Sequence, residues 1–152
     1  MTISIRPFDS ADLDQVLQLE RDVFGRDAWA DDVFIAELAH PRSYYLVAED
    51  HSVIVGFGGL RTPDQRGGQA DIQTLAVLPG YRSQGWGRAL VDALMTEAVR
   101  AGATEVFLEV RADNHHARSL YESMGFAEIS RRPGYYQPDG IDAVVMSRTV
   151  SR

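Results

Sequence analysis

The chain has 152 residues and contains no cysteine. This absence excludes disulfides, zinc sites built on thiolates, iron–sulfur clusters and any mechanism through a cysteine acyl-enzyme. Lysine is also missing, because all 15 basic residues are arginine. Without lysine the chain has neither a Walker A phosphate loop nor Schiff-base chemistry. Covalent catalysis through either of these two side chains is therefore ruled out.

Long apolar runs and excess positive charge are missing as well. No apolar run approaches the ~18–20 residues that span a bilayer, and the sequence does not open on a basic segment followed by an apolar one. We therefore expect a cytoplasmic protein without membrane contact. The 22 acidic and 15 basic side chains give a net charge of −7, the wrong sign for binding nucleic-acid phosphates. Direct nucleic-acid binding is not expected.

The acidic charge is concentrated in the first half of the chain. Residues 1–76 carry 13 acidic side chains and 6 arginines, whereas residues 77–152 carry 9 of each. If the two halves form opposite sides of one site, the first half could attract a cation and the second could tolerate a polyanion. The alternative is a solvated acidic surface that only keeps the protein soluble.

The composition and length indicate one globular domain over residues 1–152, since 45% of the residues are hydrophobic and 24% are charged. Hydrophobic periodicity predicts seven strands and four helices in a mixed α/β arrangement. The predicted strands cover residues 2–6, 44–48, 53–60, 72–78, 106–110, 126–130 and 143–146, with a loop at 131–136. The predicted helices begin near residues 10, 31, 84 and 115 and end before Gly25, Pro41, Gly102 and Gly125.

The sharpest local motif is the run Arg82-Ser83-Gln84-Gly85-Trp86-Gly87-Arg88, between a predicted strand and a predicted helix. Glycines let the backbone approach a ligand closely, and the free N–H groups and dipole of a helix start favour an anion. A pyrophosphate would fit there. Tight helix packing is the alternative explanation of the two glycines. A Rossmann dinucleotide fingerprint is excluded, because it needs glycine where Leu90 stands.

These residues resemble the Gcn5-related N-acetyltransferases (GNAT family), whose acetyl-CoA loop reads Arg/Gln-x-x-Gly-x-Gly/Ala. Arg82, Gly85 and Gly87 match that loop, and the similarity extends through residues 75–77, 108–114 and 117–126. The resemblance implies an α/β GNAT fold, with a single mixed, mostly antiparallel sheet of about seven strands flanked by about four helices. The Leu-Glu-Val-Arg-x-x-Asn, Leu-Tyr-x-x-x-Gly-Phe and Tyr-Tyr segments are similar to the RimI type, which acetylates the N-terminal alanine of a small-subunit ribosomal protein.

The resemblance implies acetyl-CoA as cosubstrate and assigns residues to it. Main-chain groups of the strand at 75–77 would hold the pantetheine arm, which Asn114 also contacts, and the glycine loop would cradle the pyrophosphate. For Trp86 we favour packing of the indole over ligand contact. The implied acetyl-CoA-binding residues are Leu75, Ala76, Val77, Arg82, Ser83, Gln84, Gly85, Trp86, Gly87, Arg88 and Asn114.

Acetyl transfer to an amine needs a base for the ammonium, whose pKa is about 7.7–8.0 in a peptide α-amine, and a proton donor for the departing thiolate. The resemblance assigns the base to Glu109 and the proton donor to Tyr121. The alternative for Glu109 is a strand-end ion pair with Arg111 or another arginine, and the alternative for Tyr121 is a core tyrosine at helical spacing from its apolar neighbours. We expect direct transfer in a ternary complex.

The resemblance implies that Phe24, Trp29, Tyr135 and Tyr136 wall a peptide groove, although Ala28 stands where the RimI type usually has proline. A basic protein N-terminus would suit an acidic wall made by three aspartates, unless these only stabilise a helix start. Those aspartates are Asp27, Asp31 and Asp32.

A metal site is not expected. His115, His116 and Asp113 could suggest one, but adjacent positions on a helix point in different directions. No Gly-x-Ser-x-Gly elbow suggests a serine nucleophile. The leading hypothesis is acetylation of a protein N-terminal α-amine, with alanine of a ribosomal protein as the expected acceptor, by a monomer. The competing hypotheses are a small-molecule amine acetyltransferase and a non-catalytic acetyl-CoA-binding module that works through a partner protein.

Overall fold

The computed structural model describes residues 3–150, which form one seven-stranded sheet with four α-helices. The strands are β1 (Ser4–Pro7), β2 (Ser43–Asp50), β3 (Val53–Arg61), β4 (Gln69–Val77), β5 (Glu105–Arg111), β6 (Ala127–Tyr136) and β7 (Ile141–Thr149). The helices are α1 (Leu13–Phe24), α2 (Asp31–Leu38), α3 (Trp86–Arg100) and α4 (His115–Ser123). The predicted fold is confirmed; Thr2, at the start of the first predicted strand, lies outside the described residues.

The strands lie in the order β1-β2-β3-β4-β5-β7-β6, and every neighbouring pair is antiparallel except β4 and β5. The parallel ladder joins only three residue pairs and ends where Asp71 faces Phe107, although β4 continues to Val77 and β5 to Arg111. An irregularity in the β3–β4 ladder skips Gln73 and bends β4 at this point. The two strands therefore diverge and open a gap in the sheet.

Each face of the sheet is covered by a different pair of helices. Helices α3 and α4 cover one face, where Trp86, Leu90 and Leu94 are fully buried. Helices α1 and α2 cover the other face through Val16 and Phe34, which are also fully buried. Within residues 3–150, no helix is long and apolar enough to cross a membrane.

The boundaries of α3 follow the local sequence signals. The helix begins after Gly85, whose φ of 93° favours glycine, and its last turn closes on Gly102, whose φ is 88°. The N–H of Ala103 donates to the carbonyl of Ala98 at 2.9 Å, the bond that defines a Schellman ending. The predicted role of Gly102 as the residue that closes this helix is thus confirmed.

The last two strands differ from their prediction. The predicted loop at 131–136 belongs to β6, because β6 is an edge strand and Pro133 needs no partner for the N–H that it lacks. The ladder with β7 is irregular between Arg132 and Tyr136, which accommodates Pro133 and Gly134. The Pro133-Gly134 pair predicts a break in the strand, but in the structure it marks an irregularity within β6.

Gly59 allows the ring of Tyr45 to cross the neighbouring strand, and this contact supports a stability prediction. A Cβ atom on Gly59 would lie 2.1 Å from Cζ of the buried Tyr45 ring. We expect Gly59→Ala to lower the free energy of unfolding by about 3 kcal/mol, because the ring has to leave its packed position. Gly80→Ala is the matched control, since nothing lies within 4 Å of its Cβ position. Equal urea midpoints for the two variants would contradict the prediction.

Candidate functional site

Two adjoining clefts follow the gap between β4 and β5. The first cleft has a volume of about 760 Å³ and is lined by α1, the segment before α2, β4, β5 and β6. The second cleft has a volume of about 680 Å³ and lies between the start of α3 and α4. The residues that line both clefts are Phe24, Leu75, Arg111, Asn114, Ala117 and Tyr121. A molecule bound in the second cleft can therefore reach one bound in the first.

The predicted anion loop lines the second cleft. Ser83 and Gly85 have φ values of 62° and 93°, so the loop turns sharply before α3 begins. The first helical N–H groups have no intrahelical partner, and together with the helix dipole they favour an anion. Arg82 and Arg88 add positive charge to the same cleft. This arrangement suits a phosphate-bearing ligand.

The alternative explanation of the glycines, close helix packing, applies to Gly87. A Cβ atom at Gly87 would lie 3.2 Å from Cδ2 of Leu120 in α4, so a side chain there would push the two helices apart. A Cβ atom at Gly85 would meet only Cδ1 of Ile3, at 3.5 Å, so packing does not require glycine there. The positive φ of Gly85 is the reason for this glycine. The two glycines of the motif thus serve different physical needs.

Three residues of the predicted acetyl-CoA set do not line either cleft with their side chains. Ala76 is buried in the core, and Trp86 is fully buried and packs edge-to-face on Tyr81, with ring centroids 6.0 Å apart. The Gln84 side chain donates a hydrogen bond to the Gly80 carbonyl at 3.2 Å. Any contact of Ala76 or Trp86 with a ligand must come from the backbone. The indole of Trp86 has the packing role that we favoured.

The other predicted residues of this group line the second cleft. Leu75 and Val77 lie on the diverging part of β4. Asn114 caps α4, because its Oδ1 accepts a hydrogen bond from the N–H of Ala117 at 3.1 Å. Its amide NH₂ group is not used by this cap and can donate to a ligand.

Glu109 lies on β5 with its side chain in the first cleft, between the inward-facing Leu108 and Val110. Nε of Arg132 lies 2.8 Å from its Oε2, and the side chain is about one-third exposed (35%). The expected alternative, an ion pair, therefore exists, and its partner is Arg132. The Arg132 guanidinium also lies over the ring of Tyr135, 5.5 Å from its centroid.

Arg111 is instead the centre of an ion-pair network that joins three loops around the clefts. It donates hydrogen bonds to Asp27 at 2.6 Å, to Asp113 at 3.0 Å and to Asp139 at 3.2 Å. Its guanidinium also lies 5.1 Å from the ring centroid of Tyr136. The network connects the segment after α1 to the β6–β7 turn, which are the two walls of the first cleft.

The predicted acidic wall is largely neutralised. Asp27 is bound by Arg111, and Asp31 forms an ion pair with Arg21 at 2.8 Å. Asp31 and Asp32 also lie in the first turn of α2, where negative charge stabilises a helix. Asp31 and Asp32 therefore fit the alternative, stabilisation of a helix start, better than an acidic wall of the groove.

Tyr121 lies on α4 where the two clefts meet. Its ring is buried and packs edge-to-face on Phe126, with centroids 5.9 Å apart. Burial raises the pKa of Tyr121, and the nearby Tyr136 hydroxyl raises it further. The phenol is therefore neutral at physiological pH and holds a proton that it can donate. The geometry is compatible with both the core role and the donor role.

The four residues predicted for the peptide groove all line the first cleft: they are Phe24, Trp29, Tyr135 and Tyr136. Trp29 packs edge-to-face on Phe34 at 5.6 Å between centroids, and Tyr135 packs in the same way on Tyr136 at 5.1 Å. Burial raises the pKa of Tyr136 to about 12, so its hydroxyl is neutral. The first cleft thus has aromatic walls and a carboxylate at Glu109.

Sequence reasoning missed two acidic residues of the first cleft, Glu20 and Asp71. Glu20 is only 3% exposed; its Oε2 accepts the N–H of Trp29 at 2.9 Å, while its Oε1 has no partner within residues 3–150. Burial raises the pKa of both carboxyls. An acid on the apolar face of α1 was a detectable signal for Glu20. Asp71 was missed because the predicted strand begins at residue 72, whereas β4 begins at Gln69.

No group of three or more histidine, cysteine, aspartate or glutamate residues within the described part of the chain is arranged to hold a metal ion. His115 and His116, which the sequence analysis considered as metal ligands, lie at the start of α4, and His116 lines the second cleft.

Comparison with known proteins agrees with this geometry. The acetyltransferase (GNAT) family model matches residues 13–126. The N-alpha-acetyltransferase RimI of Mycobacterium tuberculosis is 36% identical over 96% of this chain and 92% of that protein. An uncharacterised Mycobacterium leprae protein is 38% identical over 96% of this chain, which spans only 40% of that protein's length. The crystal structure of the ribosomal-protein-S18-alanine N-acetyltransferase from Escherichia coli matches with a TM-score of 0.88 and 29% identity, over 99% of this chain and 96% of that one. The chain therefore belongs to the GNAT family of acetyltransferases and is of the RimI type.

Proposed function

We propose that the protein transfers the acetyl group of acetyl-CoA to the N-terminal α-amine of a protein, with alanine of a small-subunit ribosomal protein as the natural acceptor. The observation that carries this proposal is the junction of the two clefts at Tyr121, between an anion-binding helix start and an aromatic groove that contains a carboxylate. The names of the Mycobacterium tuberculosis and Escherichia coli relatives support the same acceptor class.

The second cleft is proposed to bind acetyl-CoA, which supplies the activated thioester. The loop of residues 82–88 offers backbone N–H groups and the guanidinium groups of Arg82 and Arg88 to the pyrophosphate. The part of β4 beyond its ladder with β5 can pair with the amide groups of the pantetheine arm through the backbone. The Asn114 amide, at the rim of both clefts, can donate to the same arm.

Glu109 is proposed to remove the proton of the α-ammonium, and Tyr121 to protonate the thiolate that leaves. A carboxylate first attracts the cationic acceptor and then accepts its proton as the amine approaches the thioester. The incoming ammonium has to compete with Arg132 for Glu109. The neutral phenol of Tyr121 suits a proton donor, since burial keeps its pKa above the ordinary value.

The first cleft is proposed to take an extended peptide between Trp29 on one side and Tyr135 and Tyr136 on the other. Aromatic walls give contact area to the first residues of any chain, so the preference for alanine depends on the space left beside Phe24 and Trp29. Direct transfer in a ternary complex is part of this proposal, because the chain has no cysteine to form an acyl-enzyme and no Gly-x-Ser-x-Gly elbow that would suggest a serine nucleophile.

The experiment that tests the function compares three acceptors by thiol release from acetyl-CoA. The first is a peptide whose N-terminal alanine precedes basic residues, the second is its α-blocked twin and the third is a polyamine. We expect turnover with the free peptide and its loss on blocking. Equal turnover with the blocked peptide would move the acceptor to side-chain amines, and preference for the polyamine would favour a small-molecule acetyltransferase. No turnover with any amine would favour a binding module.

A further inference from the structure

Arg111, the last residue of β5, uses all three nitrogens of its guanidinium group. Nε and Nη2 donate to the two carboxylate oxygens of Asp113, at 3.0 and 3.1 Å. Nη1 donates to Asp27 at 2.6 Å, and Nη2 also donates to Asp139 at 3.2 Å. The ring of Tyr136 lies on the face of the guanidinium, with 5.1 Å between Cζ and the ring centroid. The side chain is therefore held both within its plane and perpendicular to it.

Two of these carboxylates belong to different walls of the first cleft. Asp27 lies in the segment after α1 (residues 25–30), which also carries Trp29, and both residues line the cleft. Asp139 lies in the β6–β7 turn and lines neither cleft. Arg26 adds a second, more exposed connection through an ion pair with Asp139 at 3.4 Å. The two walls are thus joined to each other by charge.

The segment after α1 is short and is anchored at two points. It begins with the single turn Gly25–Asp27, and its far end is tied to α1 because the N–H of Trp29 donates to Oε2 of the buried Glu20 at 2.9 Å. The ion pair of Asp27 with Arg111 attaches the same segment to the sheet. These two side chains are only 18% and 23% exposed, so water and salt screen this pair less than a surface pair.

The charges of the network are permanent at neutral pH. Hydrogen bonds to its carboxylate partners, Asp113 first among them, raise the pKa of Arg111 although burial lowers it. The hydrogen bond from Arg111 in turn lowers the pKa of Asp113. A planar guanidinium presents its donors in a fixed fork and can hold three carboxylates at once, whereas the ammonium of lysine is a point charge on a flexible stem. This arrangement therefore depends on arginine.

We propose, building on the function proposed above, that Arg111 is a positioning residue of the peptide site, which holds Trp29 and Tyr136 at the separation that an extended peptide needs. Arg111 acts through the carboxylates that it ties together and takes no part in proton transfer. Walls that are fixed in advance avoid the entropic cost of ordering them when the peptide binds. Loss of the connection therefore weakens peptide binding and leaves the chemical step unchanged.

The kinetic test uses Asp139→Ala, because Asp139 lines neither cleft and an effect on peptide binding has to pass through its ion pairs. We expect the KM of the free alanine peptide to rise roughly 10-fold in Asp139→Ala and in Arg111→Gln, since two aromatic side chains then have to be ordered on binding. In Asp139→Ala, kcat and the KM of acetyl-CoA should stay within twofold of the parent. Asp139→Ala should add nothing in the Arg111→Gln background, because the connection is already broken there.

A spectroscopic test needs no acceptor. In a Trp86→Phe background Trp29 is the only tryptophan, so its emission reports on the segment after α1. We expect acrylamide to quench this emission more strongly in Arg111→Gln and in Asp139→Ala, because the released segment exposes the indole. Asp64→Ala is the matched control: Asp64 is ion-paired with Arg42 and lines neither cleft, so its loss should change neither the quenching nor the peptide KM.

Four results would overturn the proposal. The first is a peptide KM within twofold of the parent in Asp139→Ala, and the second is a lower kcat at unchanged peptide KM, which would place Arg111 in the chemical step. The third is a raised KM with unchanged quenching, which would mean direct contact of Arg111 with the peptide. The fourth is a further rise of KM on adding Asp139→Ala to Arg111→Gln, which would assign the effect to Arg26. If the parent fails on the free α-amine, the proposed function itself is wrong, and the quenching result still shows whether Arg111 holds the segment.

Discussion

Replacing Glu109 by glutamine is expected to lower kcat/KM for the α-amine peptide by roughly 10²–10⁴-fold, the range of general acid–base catalysis. Glutamine keeps the size of the side chain and removes both its negative charge and its ability to accept a proton. The side chain lies in the first cleft and about one-third of it is exposed, so the substitution should leave stability nearly unchanged. Thiol release at saturating acetyl-CoA measures the effect.

Arg132→Gln is the control that separates the base from the ion pair. If Glu109 only anchors β6 through Arg132, breaking the pair from either side should cause similar losses of activity. If Glu109 removes the proton of the ammonium, Arg132→Gln should cost far less than Glu109→Gln, because the carboxylate stays in the cleft. Similar losses in the two variants would leave Glu109 with a purely structural role.

The elements that the sequence predicted well are those specified by local signals. The start and end of α3 follow from Gly85 and Gly102, which take positive φ values. The cap of α4 follows from Asn114, which accepts a hydrogen bond from its own first turn. Each of these features depends on residues a few positions apart, so a single sequence contains the whole signal. The β2–β3 turn is also local, but it covers only His51 and Ser52, because β2 extends to Asp50 and not only to the predicted residue 48.

The features that sequence reasoning missed depend on residues far apart in the chain. The partner of Glu109 is Arg132 on β6, and nothing in the sequence distinguishes it from the nearer Arg111 before the topology places β6 beside β7. The Arg111 network unites Asp27 and Asp139, which belong to opposite ends of the chain. The pairing of these charges is set by the fold, not by their spacing.

The second large effect is expected from Trp86→Ala, which should lower the free energy of unfolding by about 3–5 kcal/mol. The Trp86 side chain is fully buried between α3 and the sheet, so its removal leaves a cavity that rigid neighbours cannot fill. Urea unfolding followed by far-UV circular dichroism measures the loss without depending on tryptophan emission. Trp86→Phe should cost less, since it keeps an aromatic ring and removes an indole N–H that has no partner within the described residues.

Trp29→Ala is the matched control, because Trp29 and Trp86 are the two tryptophans of the chain. Trp29 is only partly buried and lines the first cleft. Its removal should raise the KM of the peptide while it leaves the KM of acetyl-CoA nearly unchanged, and it should destabilise the fold less than Trp86→Ala. A Trp86→Ala variant as stable as the parent would mean that the indole is not part of the core, and its assignment to packing would then be wrong.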